Sequence, residues 1–133
     1  MRKILPLIFT LVGTAFAMGG QPQVETLTPA KIIDTAEKIH TVTNLVCDDK
    51  NYFVFTDGAV SVKIPFVNIK KVVFEKEGQK LLAKVYLKDG SVKVFVADPQ
   101  TDCVGTTLYG SVEAPLSAIK EIDFLPVKNK NRD

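Results

Sequence analysis

One stretch of thirteen residues occurs twice in the chain, at a spacing of fifty. Residues 62–74 read VKIPFVNIKKVVF, and residues 112–124 read VEAPLSAIKEIDF. A gapless alignment at this spacing covers residues 42–74 and 92–124, and it predicts an internal duplication. Eleven pairs are identical in that alignment: Val42/Val92, Val46/Val96, Asp48/Asp98, Val54/Val104, Thr56/Thr106, Ser61/Ser111, Val62/Val112, Pro65/Pro115, Ile69/Ile119, Lys70/Lys120 and Phe74/Phe124.

The duplicated segments carry the signals of β-strands. Residues 60–64, 81–87 and 92–96 place apolar side chains at every second position, and Asp89-Gly90 has the composition of a tight hairpin turn. Apolar residues at a period of two indicate that one face of each strand is buried and the other is exposed to solvent, which is typical of antiparallel pairing. Pro65 would end its strand because proline has no N–H for the ladder. The sequence therefore predicts an all-β protein.

A short segment follows the proline in each repeat. Residues 66–69 and 116–119 are too short for an α-helix but fit one turn of 3₁₀ helix, and a further strand comes next. Strand, 3₁₀ turn and closing strand in this order resemble the last third of SH3-like small barrels. The resemblance implies two tandem SH3-like antiparallel units of about 45 residues, 29–77 and 78–126, which at that size would have to share one core. The chain has no Trp and no tyrosine cluster for a proline-binding groove, so no ligand preference is implied.

Two signals conflict at the start of the first repeat. Thr28-Pro29 looks like an N-cap followed by a first-turn proline, and apolar residues follow at helical spacing, which predicts a short helix over residues 29–39. The repeat predicts a strand instead, because residues 80–89, fifty positions later, have a strand pattern. The short N-terminal helix and the strand both stay open.

The ends of the chain have compositions unlike the repeats. Residues 1–17 combine Arg2 and Lys3, a short apolar run and a small-x-small triplet, which predicts a signal peptide cleaved after Ala17. We expect residues 18–28 to be a flexible lead-in and residues 127–133 a disordered tail. The predicted cleavage leaves no transmembrane segment and removes two basic groups but no acid. Fifteen basic and fifteen acidic side chains then remain, which argues against a nucleic-acid partner.

The chain has two cysteines, Cys47 and Cys103. Neither has a CxxC partner or a nearby histidine, and the predicted export would bring both into an oxidising compartment. We therefore predict one disulfide, which would tie the first repeat to the second.

The sequence offers little for catalysis. The chain has one histidine, His40, and it is the only imidazole that could act as a general base. The spacing of the paired carboxylates Glu75 and Glu77 is better explained by a solvent-exposed strand face than by a hydrolase site. We expect no enzyme activity, no catalytic residues and no cofactor. Four carboxylates flank the cysteines, and a disulfide would bring them near one another, so a weak cation site is an alternative to ordinary turns. They are Asp48, Asp49, Asp98 and Asp102.

Lysines are concentrated in the middle of the chain. Most of them fall on the polar phase of predicted strands, where lysine is a common solvated residue, although a stripe of lysines also attracts polyanions locally. We predict a non-catalytic, periplasmic or secreted binding or assembly module of the cell envelope, with a protein or glycan partner. The alternative is an interaction subunit that pairs through an open strand edge. The lysines are residues 63, 70, 71, 76, 80, 84, 88 and 93.

Overall fold

The computed structural model describes residues 28–126. The predicted signal peptide, the predicted lead-in up to residue 27 and the predicted tail 127–133 lie outside these residues. The described chain forms ten β-strands and two 3₁₀ turns, and no helix in it is long and apolar enough to cross a bilayer. The elements are β1 (Ala30–Asp34), β2 (Ile39–Cys47), β3 (Tyr52–Asp57), β4 (Val60–Pro65), the first 3₁₀ turn (Phe66–Asn68), β5 (Ile69–Glu77), β6 (Lys80–Leu87), β7 (Val92–Ala97), β8 (Asp102–Thr107), β9 (Gly110–Pro115), the second 3₁₀ turn (Leu116–Ala118) and β10 (Ile119–Phe124).

The strands form one curled antiparallel sheet in the order β4-β3-β7-β6-β5-β10-β1-β2-β8-β9. If each strand of the first repeat is exchanged with its counterpart in the second (β1 with β6, β2 with β7 and so on), the same order is obtained when the sheet is read from its other edge. The sheet therefore has an internal pseudo-twofold axis. Val72 of β5 lies opposite Ile122 of β10 at that axis, and the two residues are equivalents fifty positions apart. The all-β prediction is confirmed, and the strand–3₁₀–strand segments recur in the same conformation.

The two repeats exchange strands across the sheet. The β3–β4 hairpin of the first repeat pairs with β7 of the second, and the β8–β9 hairpin pairs with β2 of the first. Each half of the sheet therefore contains strands of both repeats, and an SH3-like barrel in each repeat is not confirmed. We call β3–β7 the middle half-sheet, and β1, β2 and β8–β10 the terminal half-sheet.

The spacing of fifty holds for only part of each repeat. β3, β4 and β5 are equivalent to β8, β9 and β10 at that spacing. β1 and β2 are equivalent to β6 and β7 at a spacing of fifty-three. Ala30 lies opposite Phe124, and Ala83, fifty-three positions after Ala30, lies opposite the equivalent Phe74. The first repeat has extra residues before β3, where a bulge at Asn44 and a turn at Asp48 use positive φ. The equivalences predicted for residues 42, 46 and 48 with 92, 96 and 98 are therefore wrong.

The helix predicted over residues 29–39 is also wrong. Residues 30–34 form β1, which pairs with β10 on one side and β2 on the other. Ile32 is buried while Ile33 is half-buried on the opposite face, which is the strand period and not the helical one. Two flanking ladders outweigh a proline and a threonine whose local preference is small.

Both half-sheets enclose a single hydrophobic core, as expected for two units too small to fold alone. Phe53 lies at its centre, with ring centroids 4.9 Å from those of Phe55 and Phe66 and 6.4 Å from those of Phe74 and Phe124. The aromatic rings are concentrated on the inner side of the middle half-sheet. The terminal half-sheet keeps Phe124 at the position of Phe74 but has smaller residues at the other equivalent positions.

Candidate functional site

The two cysteines are paired, as the sequence predicted. Cys47 of β2 and Cys103 of β8 lie directly opposite each other in the ladder, and their sulfurs are bonded. Both side chains are buried. The disulfide joins the first repeat to the second at the end of the β2–β8 ladder, just beyond the bulge between Thr43 and Val46.

Two of the four carboxylates beside the cysteines, those of Asp48 and Asp98, accept hydrogen bonds from the backbone of turns. Asp48 Oδ1 accepts a hydrogen bond of 3.0 Å from the backbone N–H of Asp102, and Asp98 Oδ1 accepts one of 2.9 Å from Gln100. Within residues 28–126, no group of three or more His, Cys, Asp or Glu side chains is placed to hold a metal ion. The turn interpretation of Asp48 and Asp98 is thus supported, and the suggested cation site has no geometric basis in this part of the chain.

His40 and Asp34 form a pair at the β1–β2 hairpin. Asp34 Oδ2 lies 2.9 Å from His40 Nε2, and Asp34 Oδ1 accepts hydrogen bonds from the backbone N–H groups of Ala36 and Lys38. The hydrogen bond from His40 is the main cause that lowers the pKa of Asp34 from its ordinary value of 3.8, followed by the bond from Lys38. The Asp34 carboxylate therefore stabilises the hairpin turn through two backbone hydrogen bonds, and the His40 imidazole orients the carboxylate.

This arrangement gives a pH-dependent prediction. Because the pKa of Asp34 is lower in the folded state, its stabilisation is present above pH 3.8 and is lost as the pH falls through the folded-state pKa. We expect Asp34→Asn to be less stable than the wild type in that upper range and to converge with it in acid. Urea unfolding of both proteins across this range measures the difference. A gap that stays constant with pH would contradict the assignment.

A groove of about 230 Å³ lies beside the His40–Asp34 pair, on the inner side of the terminal half-sheet. The inner side of this half-sheet has smaller residues at two positions equivalent to rings of the other half: Gly105 stands where the middle half-sheet has Phe55, and Val42 stands where it has Phe95. Those two phenylalanines stack with centroids 5.8 Å apart. At Gly105 a Cβ atom would come within 2.7 Å of Val42 Cβ, so the glycine lets the two strands approach.

A second carboxylate pair went unnoticed in the sequence. Glu121 and Asp123 lie on the outer face of β10, two residues apart and partly buried. A hydrogen bond between the two carboxyl groups is the main cause that raises the pKa of Glu121, and burial adds to it. The predicted pair Glu75 and Glu77, at the end of β5, is exposed. For both pairs, the sequence signal that two carboxylates share one face of a strand is their spacing of two residues.

Charge is divided between the two half-sheets. Residues 52–97 carry eight lysines and four acids, a net charge of +4. The remaining described residues, 28–51 and 98–126, carry four lysines and nine acids, a net charge of −5. All eight lysines singled out in the sequence lie in the middle half-sheet or its turns, so the near-neutral total conceals two oppositely charged halves.

The outer face of the middle half-sheet combines lysines with exposed aliphatic side chains. Val54 is 46% exposed and lies opposite Lys63, while Val94 is 49% exposed and lies opposite Lys84. The ammonium groups of Lys71 and Lys84 lie 4.9 and 5.6 Å from the centroid of the Tyr86 ring. We call this surface, formed by Val54, Lys63, Lys71, Leu82, Lys84, Tyr86 and Val94, the lysine face.

The pseudo-twofold axis shows how the charge difference arises. Lys63 and Lys71 of the lysine face have Glu113 and Glu121 as their equivalents on the terminal half-sheet. Lys84, in contrast, has Lys31 as its equivalent. The same backbone thus presents a basic surface on one side and a mainly acidic surface on the other.

Comparison with known proteins gives a relative and a family. The chain is 23% identical over 128 residues to a protein of Aquifex aeolicus (strain VF5) named "Uncharacterized protein", and the alignment covers 93% of this chain and 96% of the relative. No solved structure matches the chain. A family model with the description "Uncharacterised protein" matches residues 26–126, which include every strand described above. The chain belongs to this family.

Proposed function

We propose that the protein is a non-catalytic binding module of the cell envelope, periplasmic or secreted, and that it binds an anionic envelope polymer through the lysine face. The observation that carries the proposal is the mixture of lysines and exposed valines on one open sheet surface. The buried Cys47–Cys103 disulfide supports a location outside the cytoplasm, since disulfides persist in oxidising compartments.

Both components of the lysine face contribute to such binding. Ammonium groups on a flat surface attract a polyanion over about one Debye length, roughly 8 Å at physiological salt. Exposed aliphatic and aromatic side chains then make short-range contact with the apolar faces of sugar rings. A structural role accounts for His40, whose imidazole contacts the carboxylate that caps the hairpin turn.

A charge reversal on the lysine face tests the proposal. We expect Lys84→Glu to weaken binding to an anionic polysaccharide such as heparin by about tenfold at low salt, because it replaces an attraction with a repulsion. Lys31→Glu is the matched control: Lys31 lies at the equivalent strand position and undergoes the same change, but on the acidic half. Isothermal titration calorimetry at two salt concentrations measures both variants.

Equal losses in the two variants would show that net charge alone matters and would contradict the lysine face as the site. Undiminished binding at about 1 M salt would also contradict it, because the Debye length is then only about 3 Å.

A second candidate function is pairing with a partner protein through a sheet edge. β4 and β9 are the terminal strands of the sheet, and none of the described strands covers their outer sides. An extended segment added there gains main-chain hydrogen bonds that resist salt better than exposed charge contacts do. Retention of a partner in high salt therefore distinguishes this candidate from the first.

A further inference from the structure

The two free edges of the sheet are complementary to each other. β4 and β9 each have six residues, occupy pseudo-equivalent positions and end at a proline. The side chains at their centres differ in charge, because Lys63 of β4 corresponds to Glu113 of β9. Strand edges in soluble proteins are usually protected by bulges, inward-pointing charges, lysines or prolines. Neither edge strand has a bulge or an inward-pointing charge in the register to its neighbour, and each has its proline only at its last residue.

We propose that copies of this protein assemble head to tail, with β4 of one copy pairing antiparallel with β9 of the next. Every neighbouring pair in the ten-stranded sheet is antiparallel, so its two edge strands run in opposite directions. A second copy placed beside the first in the same orientation therefore meets it with an antiparallel pair. The outer faces of the two sheets then lie on the same side.

One register satisfies both the charges and the apolar side chains. When Lys63 lies opposite Glu113, the inward-facing Val62 lies opposite Ala114, and Ile64 lies opposite Val112. Val62, Val112 and Ala114 are only partly buried at the margin of the core, so they have surface left to cover. Cross-strand pairs of opposite charge stabilise an antiparallel ladder, and like charges directly opposite destabilise it.

The same register brings together two exposed apolar side chains outside the strands. Val67 in the first 3₁₀ turn is 72% exposed, and Tyr109 at the tip of the β8–β9 hairpin is 79% exposed. In this register Pro65 of one copy lies opposite Ser111 of the other, so the 3₁₀ turn that carries Val67 and the hairpin tip that carries Tyr109 are neighbours. The tip is fixed for such a contact, because Thr107 Oγ1 accepts a hydrogen bond from the N–H of Tyr109 and donates one to the carbonyl of Gly110.

A symmetric dimer lacks these advantages. Pairing β4 with a second β4 in the matching register would bring Lys63 against Lys63, and pairing two β9 strands would bring Glu113 against Glu113. Head-to-tail contact uses two different surfaces, so it continues into a ring or an open chain instead of stopping at two copies. The opposite net charges of the two half-sheets favour the same arrangement.

Charge exchange between two variants tests the proposal. The full chain is purified as the cell processes it, and its mass distribution is followed by sedimentation velocity over increasing concentration at low salt. We expect the wild type to form species larger than a dimer. We expect Lys63→Glu and Glu113→Lys, measured separately, to associate roughly tenfold more weakly. An equimolar mixture of the two variants restores association, because the carboxylate introduced into β4 of one variant then meets the ammonium group introduced into β9 of the other, and the unchanged edges also match.

Three results would overturn the proposal: a wild type that stays monomeric up to about 1 mM, association that stops at a dimer, or a mixture that behaves like the separate variants. Circular dichroism and thermal melting establish that each variant is folded. Lys84→Glu keeps the result separate from the proposed polymer binding, because Lys84 lies in β6, away from both edges. We expect that variant to bind the polymer more weakly, as stated above, and to assemble like the wild type.

Discussion

Replacing both Cys47 and Cys103 with alanine lowers the free energy of unfolding by about 4 kcal/mol, the loss expected for opening a loop of this length. The two residues are 56 positions apart, so the disulfide removes many conformations from the unfolded chain. In the folded protein it holds β2 and β8 together at the end of their ladder, just beyond the bulge. Urea unfolding measures the change, and the melting temperature is expected to fall by on the order of 20 °C.

Reduction of the wild type provides the control for this experiment. It opens the same loop while leaving both sulfur atoms in the core, so any difference from the double alanine variant is the cost of the cavity. If reduction changed the free energy of unfolding by less than about 1 kcal/mol, the unfolded chain would already be restricted. The disulfide would then not be what holds the repeats together.

Much of the fold was accessible from the sequence because its strongest signal was periodic. Alternation predicted the strands, and Pro65 predicted where its strand ends, because both signals depend only on neighbouring residues. The spacing of fifty was correct from β3 to β5. It failed for β1 and β2, where the bulge at Asn44 and the turn at Asp48 insert residues that an ungapped comparison cannot accommodate.

The exchange of strands between the repeats could not be predicted from local sequence patterns. β3 has the same alternation whether it pairs with a strand of its own repeat or with β7, and only the packing of the whole sheet decides between them. The helix prediction for residues 29–39 failed for the same reason. Its evidence was local, whereas β1 is held by β10, almost ninety residues away.

The candidate site was predicted in part. The sequence identified all eight lysines of the middle half-sheet, but it did not indicate that the acids would be collected on the other half. That separation depends on which strands become neighbours. Glu121 and Asp123 were overlooked because two acids on a strand usually point into water, and their partial burial follows from the central position of β10.

The proposed polymer binding gives the two pseudo-equivalent half-sheets different tasks. The middle half-sheet fills its inner side with aromatic rings and presents lysines outside, while the terminal half-sheet has Gly105 and Val42 inside and carboxylates outside. The half with the aromatic core is therefore the one that carries the lysine face. A well-packed support keeps binding side chains in place and reduces the entropy lost on binding.

That division of tasks gives the second large prediction: Phe53→Ala lowers the free energy of unfolding by about 3–5 kcal/mol. Phe53 is 1% exposed and contacts four other rings, so its removal leaves a cavity that rigid neighbours cannot fill. Val54→Ala is the matched control, because Val54 lies on the opposite face of β3 and its loss should cost less than about 1 kcal/mol. Urea unfolding of both variants measures the contrast. Similar costs for the two substitutions would show that the middle half-sheet is not supported by its aromatic core.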